Sequence, residues 1–116
     1  KLSKKKILIL GYSFKENCPD YRNTRVYHLI KHLQKKKYKI DIHDPFLSVN
    51  NDNFPFKNFS IKNIEKHKKK YDLIILAVPH NFYLENQSKI IDLLSINGLI
   101  YDFKSVLEAS KKIIQS

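Results

Sequence analysis

Two short segments of the chain consist almost wholly of branched apolar residues. Residues 6–10 read Lys-Ile-Leu-Ile-Leu and are followed by Gly11, and residues 72–78 read Asp-Leu-Ile-Ile-Leu-Ala-Val and are followed by Pro79. A strand with one solvated face alternates apolar and polar residues, whereas a strand buried on both faces shows a continuous apolar run. Both segments are therefore predicted to be inner strands of a parallel sheet.

After the first run, apolar residues recur at the spacing of an α-helix. Within residues 23–36 they stand three or four positions apart: Val26, Leu29, Ile30 and Leu33. This spacing places them on one face, so the segment is predicted to be an amphipathic helix packed on the sheet. Asp20, Asn23 and Thr24 are all suitable N-cap residues near its start.

The rest of the chain continues this alternation of strands and helices. Residues 38–43 alternate and stop at Asp44-Pro45, which predicts a second strand ending in a turn. The segments predicted after it are an irregular loop at 47–59, a short strand and a lysine-rich helix at 60–70, a helix at about 86–94, a strand at 98–102 and a closing helix at 104–114. The order predicts an α/β fold with a three-layer, Rossmann-like, doubly wound and mostly parallel sheet, in a single domain over residues 1–116. Ligands of such sheets bind beyond the carboxyl ends of the strands.

The composition is that of a soluble globular domain, with 42% hydrophobic and 28% charged residues. A net charge of +11 points to nucleic acid at first sight, but only Arg22 and Arg25 of the 22 basic residues are arginines. Specific base contacts depend on bidentate arginine, so no sequence-specific nucleic-acid partner is predicted. The lysine runs are interpreted as solvated surface charge.

No apolar run approaches the roughly 20 residues that cross a bilayer, and the first residues lack a secretory signal pattern. The single cysteine, Cys18, excludes an internal disulfide and fits a reducing compartment. We therefore expect a cytoplasmic protein with no membrane partner. Because the chain starts at Lys1 rather than at methionine, it is interpreted as a piece of a longer protein.

The loop at residues 11–24, between the first strand and the first helix, carries the residues best suited to bind a ligand. It contains one glycine, so it is neither a dinucleotide fingerprint nor a P-loop. Lys15 offers a charge for phosphate, Phe14 offers a flat apolar face for a base or sugar, and the helix start favours anions. On the residues alone, a ligand-binding loop and an ordinary loop with a solvated lysine are equally supported.

Four segments in order along the chain resemble a known family. They are residues 11–24 (GYSFKENCPDYRNT), 41–45 (DIHDP), 71–80 (YDLIILAVPH) and 100–104 (IYDFK). Together they resemble the C-terminal, UDP-binding domain of the UDP-glucose/GDP-mannose dehydrogenase family. The form Glu-Asn-Cys-Pro-Asp at residues 16–20 is similar to the branch that oxidises UDP-N-acetylhexosamines for surface polysaccharides.

The resemblance implies that the redox chemistry lies in other domains. In this family an N-terminal Rossmann domain binds NAD, and a central helical region holds the catalytic cysteine and lysine and much of the dimer contact. The whole enzyme oxidises the C6 alcohol of the sugar to a carboxylate in two NAD-dependent steps. For this chain the resemblance therefore implies a UDP-sugar and the other two domains as partners, a homo-oligomer when full length, and no catalytic residue or NAD site of its own.

By position in the motifs, the resemblance assigns Phe14, Lys15 and Lys104 to UDP-sugar binding. Arg22 and Asp20 are expected to organise the first loop. Cys18 lies in this loop and outside any glycine-rich motif like that of the family's catalytic cysteine, so we predict a structural role for it.

Other polar residues also stand at predicted strand ends. His80 is interpreted either as a ligand contact or as a hydrogen-bonding loop histidine, and Asp44 as a turn residue because Pro45 follows it. The histidines lack the spacing of metal ligands, so no metal is predicted. The charge and the missing upstream sequence leave a second hypothesis open, a free-standing α/β module that binds a nucleotide or polyanion without catalysis.

Overall fold

A computed structural model of the protein describes residues 5–13, 24–46, 55–56, 64 and 70–115, and these form one twisted sheet with helices on both faces. The strands are β1 (Lys6–Leu10), β2 (Lys39–His43), β3 (Tyr71–Leu76), β4 (Leu94–Asp102) and β5 (Ile113–Gln115), in the spatial order β2-β1-β3-β4-β5. Every pairing between them is parallel, which confirms the predicted doubly wound architecture.

The apolar run of β1 supplies two cores, because successive residues of a strand point to opposite faces. The helices of the described residues are α1 (Thr24–Lys35), α2 (Asn81–Glu85) and α3 (Gln87–Ile91). One buried cluster joins β1 to α1 and includes Ile7, Ile9, Val26 and Ile30. A second cluster joins β1 to α2 and α3 and includes Leu8, Leu10, Tyr83 and Ile90. Strand β1 is thus an inner strand buried on both faces, as its sequence predicts.

Helix α1 ends in a tight turn that sends the chain directly into β2. Lys37 has a left-handed backbone, with φ of 67°. Its N–H donates to the Gln34 carbonyl at 2.9 Å, and the Tyr38 N–H donates to the Leu33 carbonyl at 3.4 Å. This pair of bonds is a Schellman motif, in which the residue after the helix is usually glycine.

The predicted closing helix at 104–114 is wrong. The described chain turns after β4 and returns as β5, where Ile113 lies beside Ile100 and Ile114 beside Tyr101. Between Leu107 and Ile113 the positions that would continue a helical stripe, 110 and 111, are Ser and Lys, so the large apolar residues do not form a continuous stripe. Ser105 also adopts a left-handed φ of 53°, which a helix does not allow.

The helix predicted at about 86–94 begins earlier and ends earlier than expected. It starts at Asn81, and Asn86, with φ of −122°, divides it into α2 and α3. Leu94 belongs instead to β4, where it pairs with Tyr71, so this strand is longer than the predicted segment 98–102. Most of residues 47–70, and the predicted caps Asp20 and Asn23, lie outside the described residues.

Gly11 directly follows β1 and lies close to the end of β2 and to the backbone that follows β3. Its φ is +93°, and a Cβ at this position would lie 2.6 Å from the Val78 Cβ and 2.7 Å from the Val78 carbonyl oxygen. Its N–H donates to the His43 carbonyl at 2.7 Å. Only glycine fits here, because an added methyl group would meet the backbone that follows β3.

Replacing Gly11 by alanine is expected to lower the free energy of unfolding by roughly 2 kcal/mol or more, since the left-handed backbone and the clash with Val78 act together. Lys37→Gly is the opposite change, at the left-handed residue that follows α1, and should stay within about 1 kcal/mol of wild type, on the stabilising side. Urea unfolding of both variants tests the pair. A Gly11→Ala protein as stable as wild type would contradict the close approach described above.

Candidate functional site

The carboxyl edge of the sheet contains the point at which the strand order reverses. In register across this edge lie His43 of β2, Leu10 of β1, Leu76 of β3 and Asp102 of β4. The chain leaves β1 toward β2 on one side, while β3 lies on the other side of β1. The loops at such a switch point diverge and leave a crevice, which is where doubly wound sheets bind ligands.

Asp44, directly after β2, ties together the loops that follow three strands. Its Oδ2 accepts hydrogen bonds from the backbone N–H groups of Tyr12 and Ser13, at 2.7 and 2.9 Å. The same oxygen lies 2.9 Å from Nε2 of His80, and Oδ1 accepts the Phe46 N–H at 2.7 Å. The bond to Phe46 agrees with the predicted turn role, but the bonds to the β1 and β3 loops were not predicted.

The hydrogen bonds to Asp44 favour its charged form. Burial by itself raises the pKa of this carboxyl group. The hydrogen bond from His80 and those from the Ser13 and Tyr12 amides outweigh burial and hold the pKa below its usual value. The side chain is thus a fixed negative charge with both oxygens occupied.

His80 links Asp44 to Ser13. Its Nε2 lies 2.9 Å from the Ser13 hydroxyl oxygen as well as from Asp44 Oδ2. A carboxylate can only accept, so Nε2 carries the proton and shares it between the two oxygens. Both His80 and Ser13 are completely buried, and Phe46 packs against the His80 ring with centroids 4.8 Å apart. Of the two interpretations of His80, its geometry fits a hydrogen-bonding loop histidine.

A second buried pair, His43 and Tyr83, lies behind this cluster. The Tyr83 hydroxyl donates to the His43 carbonyl at 2.8 Å and also lies 2.8 Å from His43 Nδ1. Because that hydroxyl hydrogen is used, Nδ1 carries a proton and donates to the hydroxyl oxygen. Burial lowers the pKa of His43 to about 4; the charge of Asp44 opposes this shift, and His80 adds to it. Burial also raises the pKa of Tyr83 well above its usual value, so His43 and Tyr83 are both neutral near pH 7.

The loop after β4 carries the one predicted binding residue that the structure describes. Lys104 is exposed on the turn that follows Asp102. The buried Asp102 accepts hydrogen bonds on Oδ2 from the Leu107 N–H at 2.8 Å and from Gln115 Nε2 at 3.1 Å. These bonds hold Leu107, in the loop that follows β4, and Gln115, in β5, to the end of β4. Lys104 therefore extends from an anchored loop on the carboxyl edge.

The remaining residues predicted to bind substrate or organise the loop lie outside the described residues: Phe14, Lys15, Asp20 and Arg22. Cys18 lies there too. The sequence did contain a signal for the cluster that was missed. Ser13, Asp44 and His80 each stand one to four residues beyond a strand, so the parallel topology brings these polar side chains to one edge.

The described residues contain no group of three or more histidine, cysteine, aspartate or glutamate side chains arranged to hold a metal ion. Within the same part of the chain, no helix is long and apolar enough to span a membrane.

Comparison with known families and sequences gives a consistent result. Residues 8–109 match the UDP-glucose/GDP-mannose dehydrogenase family, UDP binding domain. The chain is 35% identical over 104 residues to Protein CapL of Staphylococcus aureus, covering 89% of this chain and 24% of that protein. It is 34% identical over 115 residues to the UDP-N-acetyl-D-glucosamine 6-dehydrogenase of Salmonella typhi, covering 94% and 25%. The chain thus spans about a quarter of the length of these relatives.

Solved structures share the fold. An NDP-N-acetyl-D-galactosaminuronic acid dehydrogenase from Methanosarcina mazei superposes with a TM-score of 0.76 at 22% identity, covering 100% of this chain and 25% of that one. A UDP-D-ManNAc dehydrogenase from Pyrococcus horikoshii superposes with a TM-score of 0.75 at 19% identity, covering 99% and 25%.

The neutral, buried His43 makes stability depend on pH in a defined direction. Between its folded pKa of about 4 and its unfolded value of 6.5, the unfolded chain binds more protons than the folded one. The free energy of unfolding therefore rises with pH across this window, by at most about 3 kcal/mol. Urea unfolding from pH 4 to pH 7 measures the slope.

The variant His43→Asn keeps an N–H near the Tyr83 hydroxyl but cannot titrate, so it should flatten this slope. His28→Asn, on the exposed face of α1, is the matched control and should leave the slope unchanged. Equal slopes in wild type and His43→Asn would show that His43 does not carry the effect.

Proposed function

The chain belongs to the UDP-glucose/GDP-mannose dehydrogenase family as its UDP-binding domain, and from this premise we propose that it holds the UDP part of the substrate in an NAD-dependent UDP-sugar 6-dehydrogenase. The full enzyme would oxidise the C6 alcohol of the sugar to a carboxylate. The sugar would be a UDP-N-acetylhexosamine and the product a uronic acid for surface polysaccharides. The relatives named UDP-N-acetyl-D-glucosamine 6-dehydrogenase, at 34% and 33% identity, support this branch.

The observation that carries the proposal is that three loops are hydrogen-bonded together at the carboxyl edge of the sheet. Hydrogen bonds to Asp44 lock the loop after β1 to the loops after β2 and β3. Phe14 and Lys15 follow directly in sequence after Ser13, which these hydrogen bonds hold in place. Lys104 stands on the same edge, two residues beyond the end of β4. The chain has only two glycines, too few for a glycine-rich phosphate-binding loop. A pyrophosphate bound here would therefore be held by lysine charges.

The residues of this chain do not suit NAD. A dinucleotide-binding domain uses a glycine-rich loop after β1 and an acidic residue after β2 that binds the ribose. Here Gly11 is the single glycine of the loop after β1. Asp44, the acidic residue after β2, already accepts hydrogen bonds from protein donors on both carboxylate oxygens. This supports the proposal that NAD is bound by the N-terminal domain and that the catalytic residues lie in the central domain.

The same proposal gives the chain its partners and setting. They are the UDP-sugar, the N-terminal and central domains of the same polypeptide, and a second copy of the full-length enzyme in a homo-oligomer. The enzyme would work in the cytoplasm, where nucleotide-sugars are made. Phe14, with its flat apolar ring, would contact the base or sugar, while Arg22 and Asp20 would organise the loop around Lys15.

Removing one lysine charge at the carboxyl edge is expected to weaken substrate use. In the full-length enzyme, Lys15→Ala and Lys104→Ala should each lower kcat/KM for the UDP-sugar by roughly ten- to a hundredfold, the worth of one charged hydrogen bond to phosphate. The melting temperature of Lys104→Ala should change little, because this lysine is exposed and exposed lysines contribute little to folding. Steady-state kinetics at fixed salt concentration measures the effect.

Lys111→Ala is the matched control, because this exposed lysine precedes β5 and stands at the opposite edge of the sheet. It removes the same charge and should leave kcat/KM within about twofold of wild type. Losses of equal size in all three variants would indicate a general charge effect and contradict a site at the carboxyl edge.

A further inference from the structure

The cluster of Ser13, Asp44 and His80 lies just beyond the carboxyl ends of the paired strands β1, β2 and β3, whose last registered residues are Leu10, His43 and Leu76. We infer that His80 and Asp44 are positioning residues, which hold Tyr12 and Ser13 at the carboxyl edge in the place that nucleotide binding requires, without touching the nucleotide themselves. This inference rests on the proposed function and adds two residues to the site that the sequence motifs do not assign to substrate binding.

Ser13 is held by its backbone and by its side chain at once. Its N–H donates to Asp44 Oδ2 at 2.9 Å, and its hydroxyl oxygen lies 2.9 Å from His80 Nε2. The preceding N–H, that of Tyr12, donates to the same carboxylate oxygen at 2.7 Å. Two successive peptide groups and one side chain are therefore fixed, which sets the course of the chain as far as Ser13.

His80 is itself held from several sides. Its N–H donates to the Val78 carbonyl at 2.9 Å, and its carbonyl accepts the Tyr83 N–H at the start of α2. The ring lies against Phe46 and Tyr83, with centroids 4.8 and 5.7 Å away. The side chains of His80 and Asp44 are 0% and 2% exposed. Because these contacts hold His80, its hydrogen bonds fix the β1 loop relative to the end of β3.

Stability alone gives little reason for such a cluster. Burying a carboxylate costs free energy that its hydrogen bonds mostly offset, and apolar residues of similar size often stabilise a protein as well or better. A fully satisfied polar network fixes one geometry, which apolar packing does less strictly. At the switch point of the sheet, loops held in one geometry favour the binding of a ligand that contacts charged residues from several loops.

The test is the division between KM and kcat in the full-length dehydrogenase. His80→Leu removes the shared proton, and we expect the KM for the UDP-sugar to rise roughly tenfold or more while kcat and the KM for NAD stay within about threefold of wild type. His80→Gln places an amide N–H near the position of Nε2 and should recover part of the loss. Ser13→Ala keeps the backbone bond to Asp44 and removes only the hydroxyl, so it should raise the same KM less.

Asp72→Asn is the matched control. Asp72 accepts the N–H of Lys6 at 3.0 Å and the Ser95 hydroxyl at 3.2 Å, so it ties the start of β1 at the edge remote from the ligand. It should lower the melting temperature without raising the KM for the UDP-sugar. If His80→Leu does not fold, Ser13→Ala and His80→Gln provide the same comparison.

Two outcomes overturn the inference. In the first, His80→Leu and Ser13→Ala have the same KM for the UDP-sugar as the control Asp72→Asn. In the second, these two variants raise the KM for NAD as much as they raise the KM for the UDP-sugar. If Lys15→Ala and Lys104→Ala raise the KM in the same assays while the His80 and Ser13 variants do not, the positioning role fails and the nucleotide site stands. If none of these variants changes the KM, the proposed function fails as well.

Discussion

The carboxylate of Asp44 is the contact on which the carboxyl edge of this domain depends. It accepts from the Tyr12 and Ser13 amides, the Phe46 amide and His80, and so joins the loops that follow β1, β2 and β3. These strands meet where the order of the sheet reverses. Without this acceptor, the donors of the β1 loop would be buried unpaired or would have to turn toward water, and the loop would lose its fixed course.

The close approach at Gly11 and the Asp44 cluster belong to one arrangement. Gly11 lets the backbone after β3 come within contact distance of the end of β1, and this proximity allows His80 to reach the β1 loop. The strand ends thus form one hydrogen-bonded edge, and the loop after β4 presents the exposed Lys104 there. This arrangement supports the proposed role of the domain in binding the nucleotide part of a substrate.

The sequence predicts the centre of the sheet well and its border poorly. The apolar runs of β1 and β3 and the stripe of α1 predict these elements closely, because burial and periodicity are local properties of the sequence. Strand β5 was mistaken for a helix, since Ile113 and Ile114 reveal their role only through pairing with β4. The division of α2 from α3 at Asn86 is likewise not marked by a glycine or a proline in the sequence. The Asp44–His80 contact spans 36 positions and depends on strand register, so the local pattern around Asp44 indicates only its turn role.

The claim that UDP binds at the carboxyl edge can be tested directly by titrating the ¹⁵N-labelled chain with UDP and, separately, with NAD. We expect weak binding that favours UDP, because one domain supplies only part of a closed cleft. The amide shifts should be largest at residues 11–13, 77–80 and 103–105. Tighter binding of NAD than of UDP, or shifts centred at the opposite edge around Lys39 and Lys70, would contradict the account.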